Sequence, residues 1–287
     1  MVSLWCARLT WVLLPVSAGT ALSDALSGWS TAPARVATVL LWAAWAVGLM
    51  ALLAPRPWGL TALRVVAPAA VIVTILAAAG TSAGVAVLAV SSSVVAAAFA
   101  LSASVAQAAA NAMAYGDEIR FPLHIPLSLF LGPVPLAVLL IAAGASTGPL
   151  LLADGHYIAG VVATVVGLPI AAALARSLHS LSQRFVVIVP AGLVVVDPLT
   201  LVDPVLMRRE QILAVRHLKK AADGGGLDLR LGTLPGTIQL SLHEPQSFGR
   251  RRGRHDAEMV DTDVVLVSTV RAGALVQAAG ARRIAIA

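Results

Sequence analysis

Charge is what this chain has least of. Only 12% of its 287 residues are Asp, Glu, Lys or Arg, where a soluble domain carries roughly 25%. With 59% hydrophobic residues and a mean hydropathy of +0.89, most of the chain is not built for water. Cysteine is nearly missing too. Cys6 stands alone, which excludes an intrachain disulfide and a cysteine-based metal cluster. The Leu-Trp pair before it is a poor lipidation context. Lysine is confined to Lys219 and Lys220. With the Ala, Val and Arg bias, this is the composition of a GC-rich bacterial genome. Ionisable residues are absent near the centres of the apolar stretches, Arg8 and Arg64 aside, which disfavours energised transport. Neither a His-Glu-x-x-His helix nor a phosphate-binding loop is present, and His124 and His156 have no partners at ligand spacing. No catalytic residue, cofactor or metal is therefore expected.

What is present changes character near Arg184. Before it, long apolar stretches follow one another. From it on come about a hundred residues of short alternating segments that, with Arg184 itself, hold fourteen of the twenty Lys and Arg residues. This predicts a transmembrane helical domain over 1–180 and a soluble domain over 184–287. A helix needs about 20 mainly apolar residues to cross the hydrocarbon. Six stretches qualify, roughly 4–23, 34–54, 61–79, 83–112, 126–146 and 150–178. The first, interrupted by Arg8 and Pro15, reads as a retained anchor, with a cleaved signal peptide as the alternative.

The loops set an orientation. One side carries Arg8, Arg56, Arg64, Arg120, Arg176 and Arg184, and the other Arg35 alone beside Asp24 and Asp154. The positive-inside rule then places both termini in the cytoplasm of a multi-pass protein of a bacterial plasma membrane. All six tryptophans lie within the first 58 residues. Trp29 and Trp58 flank spans as an aromatic belt does, and Trp42 and Trp45 share a helix face.

The fourth span repeats small residues every fourth position: Ser92, Ala96, Ala100, Ser104 and Ala108. Such a stripe lets helix backbones approach closely. Ser104, Gln107 and Asn111 form a second, polar row, expected either to make interhelical hydrogen bonds or to line a crevice at the cytoplasmic side. The following loop holds Asp117, Glu118 and Arg120, read as a solvated loop pairing with basic neighbours. A general acid/base or cation site is the sharper alternative.

The soluble domain reads as seven short strands and a helix. Residues 184–189 and 192–197 flank Pro190-Ala191 as a hairpin, and 204–209 and 211–218 follow. Leu227, Leu229 and Leu231 alternate with polar residues, as do Ile238, Leu240 and Leu242, around a turn at Leu234-Pro235-Gly236-Thr237. Asp263 to Val267 is the last strand. Ser268 or Thr269 should cap a helix with apolar stripe Val270, Ala274, Leu275 and Ala278, stopped by Gly280.

Seven strands then a helix is the element order of the pleckstrin-homology-like (PH-like) family, and the domain resembles the bacterial PH-like domains that follow membrane spans. The whole architecture resembles actinobacterial multi-span membrane proteins with such a C-terminal domain. The resemblance implies a β-barrel or sandwich closed by its helix, serving protein interaction or oligomerisation. It does not carry inositide binding across, because the first hairpin loop, Pro190-Ala191, has no cation.

Residues 243–261, with Arg250, Arg251, Arg252 and Arg254, are too polar and Gly-rich to fold alone, which predicts a mobile loop. Its arginines are candidates for contact with anionic lipid or a partner. Without interleaved aromatics, nucleic acid is not expected. The expected function is a non-enzymatic membrane accessory or scaffold protein, its partners being membrane lipids and a protein or a second copy. Two alternatives are a transporter or channel subunit with a path beside the fourth span, and a membrane enzyme acting on lipid through Asp117 and Glu118.

Overall fold

The computed structural model describes residues 2–218, 225–253 and 256–287, and the chain divides into two compact units. One comprises Met1–Ala109 and Val134–His179, the other Ala110–Pro133 and Ser180–Ala287.

The first unit is helical. Its elements are α1 (Val2–Ser17), α2 (Gly19–Ser27), α3 (Thr31–Leu53), α4 (Pro57–Ala78), α5 (Ala83–Ala100) and α6 (Ala103–Asn111), then α8 (Pro133–Ala153) and α9 (Tyr157–Ser182) after α7 (Leu127–Leu131) of the other unit. Among the described residues, six segments are long and apolar enough to cross a membrane: α1 with α2, then α3, α4, α5, α8 and α9. The chain is a multi-pass membrane protein. Ala7, Trp11, Leu14, Leu52, Leu63, Ala67, Ala96 and Ala100 form its main buried cluster. Many leucine, valine and isoleucine side chains elsewhere on the helices are exposed, among them Val39, Leu76, Val87, Leu136, Val161 and Val165.

Three spans differ from the sequence reading: the sixth begins at Tyr157 and not at 150, because α8 runs on to Ala153. The fourth ends at Ala100, because the helix breaks at Leu101 and Ser102 before α6 begins. The fifth starts at Pro133 and not at 126, since Gly132 separates α7 from α8.

The second unit contains two four-stranded sheets. β1 (Ile119–Pro122), β2 (Phe185–Val189), β3 (Gly192–Val196) and β4 (Val205–Arg208) lie in that order, all antiparallel. β5 (Ile212–Leu218), β6 (Leu227–Asp228), β7 (Thr237–Arg252) and β8 (Asp256–Ser268) are ordered β5-β7-β8-β6, with β6 parallel to β8. Helix α10 (Ala272–Ala281) follows. Val186, Ile188, Val195 and Met207 of the first sheet share one core with Val215, Ile238, Leu240, Phe248 and Val265 of the second and Leu275 of α10.

Four features of this unit correct the sequence expectation. First, a strand comes from the loop between the fourth and fifth spans: β1 pairs with β2 along its whole length, Ile119 opposite Ile188 and Pro122 opposite Phe185. Second, Leu227, Leu229 and Leu231 do not form a hairpin with Ile238, Leu240 and Leu242. Arg230 folds back on Asp228, and Leu231 (φ 52°) and Gly232 (φ 82°) turn left-handed, which ends the strand. Third, 243–252 and 256–261 are not a loop but the outer half of a β7/β8 ribbon, paired from Gln246–Thr262 to Arg252–Asp256. Segment Thr200–Val202 supports it, through Val202 N–H to Gly249 O (2.8 Å) and Arg251 N–H to Thr200 O (2.8 Å). Pairing satisfies a backbone that composition alone left without partners. Fourth, α10 starts at Ala272, because the Thr269 and Val270 amides are taken by Gly236 O and Pro122 O. It stops beyond Gly280, where Arg283 takes φ 59° and the Ile284 amide returns to Ala279 O (3.1 Å).

Candidate functional site

The residues singled out in the loop after the fourth span serve to attach β1. Asn111 grips the Arg120 peptide at both ends: its Nδ2 donates to Arg120 O (2.8 Å), and the Arg120 amide donates to its Oδ1 (3.0 Å). That two-point clasp mimics a strand partner. It also withdraws Asn111 from the row with Ser104 and Gln107, which stay half-buried on α6. The Arg120 side chain bonds Glu118 Oε2 through Nη2 (3.0 Å) and lies 5.1 Å from the Phe185 ring centroid. That hydrogen bond, helped by the Tyr115 amide, holds the Glu118 carboxyl below the usual glutamate range. Asp117 is exposed, and its carbonyl accepts a bond from Arg282. Glu118 and Asp117 are thus brought to one loop, but Glu118 is held ionised by Arg120, which suits a general acid poorly.

The most buried charges in this unit were not among the sequence candidates. Arg184 and Asp197 form a two-pronged ion pair, Nε to Oδ1 and Nη2 to Oδ2, both 2.7 Å, with side chains 2% and 0% exposed. Arg184 Nη1 also donates to His124 O (2.9 Å) and Nη2 to Leu229 O (3.4 Å). Asp197 further accepts from the Leu199 amide (3.1 Å). One guanidinium therefore ties together the start of β2, the turn after β3, the segment after β1 and the segment after β6. The hairpin register that pairs Phe185 with Val196 sets Arg184 opposite Asp197, so the two-residue turn at Pro190-Ala191 was the signal for this pair in the sequence. Burial pushes the pKa of the adjacent His124 imidazole down.

The arginines expected to form a cationic loop are balanced within the ribbon. Arg250 stands opposite Glu258 and Arg252 opposite Asp256. Arg252 Nε lies 2.8 Å from Glu258 Oε2, and Arg251 Nε donates to Leu201 O (2.9 Å). Arg254 lies outside the described residues.

In the helical unit, the small-residue stripe falls on two helices: Ser92, Ala96 and Ala100 on α5, Ser104 and Ala108 on α6. The buried face of α5 runs through Ala89, Ser93, Ala96, Ala97 and Ala100. Helices α8 and α9 approach each other closely. A Cβ added at Gly144 would lie 2.6 Å from Gly167 O, one at Gly148 2.9 Å from Thr164 Cα, and one at Gly160 2.8 Å from Leu152 N. Gly144-x-x-x-Gly148 is the signal that finds this interface from sequence. The same five residues, Gly-Ala-Ser-Thr-Gly, also spell a nucleophile elbow. Their setting is the interior of α8, where Ser146 donates to Ala142 O (2.8 Å), and not the strand-to-helix turn that such chemistry needs. Elsewhere, Thr61 Oγ1 and His179 Nδ1 are 3.0 Å apart, and His156 and Asp154 form an exposed pair at 3.5 Å.

What this geometry arranges is attachment: a strand clasped by Asn111 and a unit knotted by Arg184. Comparison with known proteins returns no matching family model, no similar curated protein and no similar solved structure.

Proposed function

We propose that this chain is a membrane accessory or scaffold protein of a bacterial plasma membrane, whose C-terminal unit is a cytoplasmic PH-like module that docks a protein partner. The observation that carries the reading is β1. By taking its first strand from the loop before the fifth span, the unit is fixed to the membrane part both before Pro133 and after Ser182. A unit tied into the chain at several points has less reach than one on a single tether, which favours presenting a surface over reaching for distant ligands. The PH-like reading draws support from element order. With the two-residue β6 set aside, β1 to β4, then β5, β7 and β8, then α10 give seven strands and a closing helix. The cytoplasmic reading draws support from pairing and charge together. β1 and β2 are separated by two spans, which returns both to one side. That side carries Arg56, Arg64, Arg120, Arg176 and Arg184. A protein partner is favoured over lipid because two of the ribbon arginines, Arg250 and Arg252, face Glu258 and Asp256 across the strands.

The test is affinity purification of the tagged full chain from mild detergent. A distinct protein recovered in fixed ratio, and lost when Arg250 and Arg251 are changed to Glu, supports the reading. Recovery of the chain with no other protein overturns it. Alkaline phosphatase fused after Ala287 should be inactive, and activity there would reverse the orientation.

A further inference from the structure

The loop 229–236 is bonded to two of the segments by which the C-terminal unit meets the spans. Arg184, two residues past the end of α9, holds Leu229 O and His124 O. Thr233 Oγ1 donates to Ile125 O (3.4 Å), beside Pro126, which opens α7. The Thr269 amide donates to Gly236 O (2.9 Å), and the His124 amide to Ser268 O (2.9 Å). Since Pro122 is in register with Phe185, all of these lie at the end of the first sheet from which the chain passes into α7 and α8 on one side and comes from α9 on the other.

At that end the loop exposes leucine. Leu231 is 41% and Leu234 57% exposed, and neither belongs to the core of this unit. Leu231 adopts φ 52°, a left-handed conformation that asparagine or glycine takes more readily. A leucine there gains nothing inside the unit. Leu127, Phe130 and Leu131 of α7, the helix that follows Ile125 and Pro126, are also exposed, directly before α8 begins. The loop contains no carboxylate, and Arg271 stands exposed next to Val270, whose amide donates to Pro122 O (3.0 Å). Apolar tips with a cation alongside and a membrane span a few residues away match the headgroup–acyl boundary of a bilayer.

We propose that loop 229–236 is a membrane-interface anchor, with the Leu231 and Leu234 side chains inserted into the leaflet that α7 adjoins. The occupant is lipid and not a protein, because Thr233 bonds the loop to Ile125, in the short segment that leads through α7 into the spanning helix α8. The proposal rests on the six spans and not on the docking reading. A chain with no protein partner would still seat this loop in the bilayer.

The experiment uses the full chain in a Cys6→Ala background, with a single cysteine at Leu231, Leu234 or Met259, labelled with an environment-sensitive fluorophore. Met259, 69% exposed on the ribbon, is the aqueous reference. The protein is reconstituted into vesicles of phosphatidylcholine and phosphatidylglycerol. Lipids carrying a nitroxide high on the acyl chain should quench the probes at 231 and 234 several-fold more than the probe at 259. Iodide should quench them several-fold less. If iodide quenches 231 and 234 as strongly as 259, the loop is in water and the proposal fails. If neither quencher reaches them, protein covers the loop and the proposal fails equally. Variants count when their elution and Tm match the unlabelled chain; should Leu231→Cys fail that check, position 234 alone decides.

Discussion

Trp11 and Trp45 exchange hydrogen bonds across α1 and α3: each indole N–H donates to the other's backbone carbonyl, both at 2.9 Å. One half of the exchange has a visible cause. Pro15 has no N–H to offer the Trp11 carbonyl four residues back, and the Trp45 indole takes that place. Gly48 clears the space, since a Cβ there would collide with the Trp11 ring. Trp42 stacks edge-on against Trp45 at 5.3 Å. The packing role open to the tryptophans from sequence is thus filled by Trp11, which is 1% exposed.

Trp45→Phe should keep the shape and lose the donor, leaving the Trp11 carbonyl unsatisfied, at a cost of about 1 kcal/mol. Gly48→Leu should cost more, about 1–3 kcal/mol, by forcing the indole out. Thermal unfolding of the detergent-purified chain measures both. Equal, negligible shifts would mean that the two helices are held elsewhere.

A fragment beginning at Leu181 lacks β1 and leaves the edge of β2 unpaired. It should be aggregation-prone. Joining residues 110–124 to it through a flexible linker should restore a soluble, cooperatively folding domain. Asn111→Ala in that joined form should lower its Tm by several degrees, because the Arg120 peptide loses both partners. A Leu181–Ala287 fragment as stable as the joined form would show β1 to be dispensable.

Arg184→Met should leave the Asp197 carboxylate buried and unpaired, at about 3–5 kcal/mol. The double variant Arg184→Met, Asp197→Leu should recover most of that loss. Chemical denaturation of the two variants in detergent reads the difference. A double variant as damaged as the single one would assign the stability to the bonds with His124 O and Leu229 O.

His124 should make the second unit acid-sensitive. Burial lowers its folded pKa below the unfolded value of about 6.5, so the unfolded chain takes up the proton more readily. Stability should be full above that value and fall as pH drops through it toward the folded pKa. His124→Gln should flatten the Tm profile between pH 7 and pH 5. An unchanged profile would place the titrating group elsewhere.

The sequence by itself determined what depends on composition and local period. Spans are legible because backbone in hydrocarbon must be helical and its side chains apolar over a fixed length, whatever lies beside them. Leu240 and Ile238 declare a buried strand face by alternation alone, and both are fully buried. The β-sheet character of the second unit was legible for that reason. Tertiary structure decided whatever needed a partner distant in sequence. Ile119 to Pro122 is too short to announce a strand, and becomes one only because β2, more than sixty residues on, offers an open edge. Arg250 and Arg252 read as a cationic loop until β8 sets Glu258 and Asp256 across from them. The 184–189/192–197 hairpin already sets Asp197 opposite Arg184, but only the folded unit buries the pair and brings the His124 and Leu229 carbonyls to the guanidinium. Hydrogen bonds and ion pairs are short-ranged, so the sequence names the groups that need partners and the fold alone supplies them.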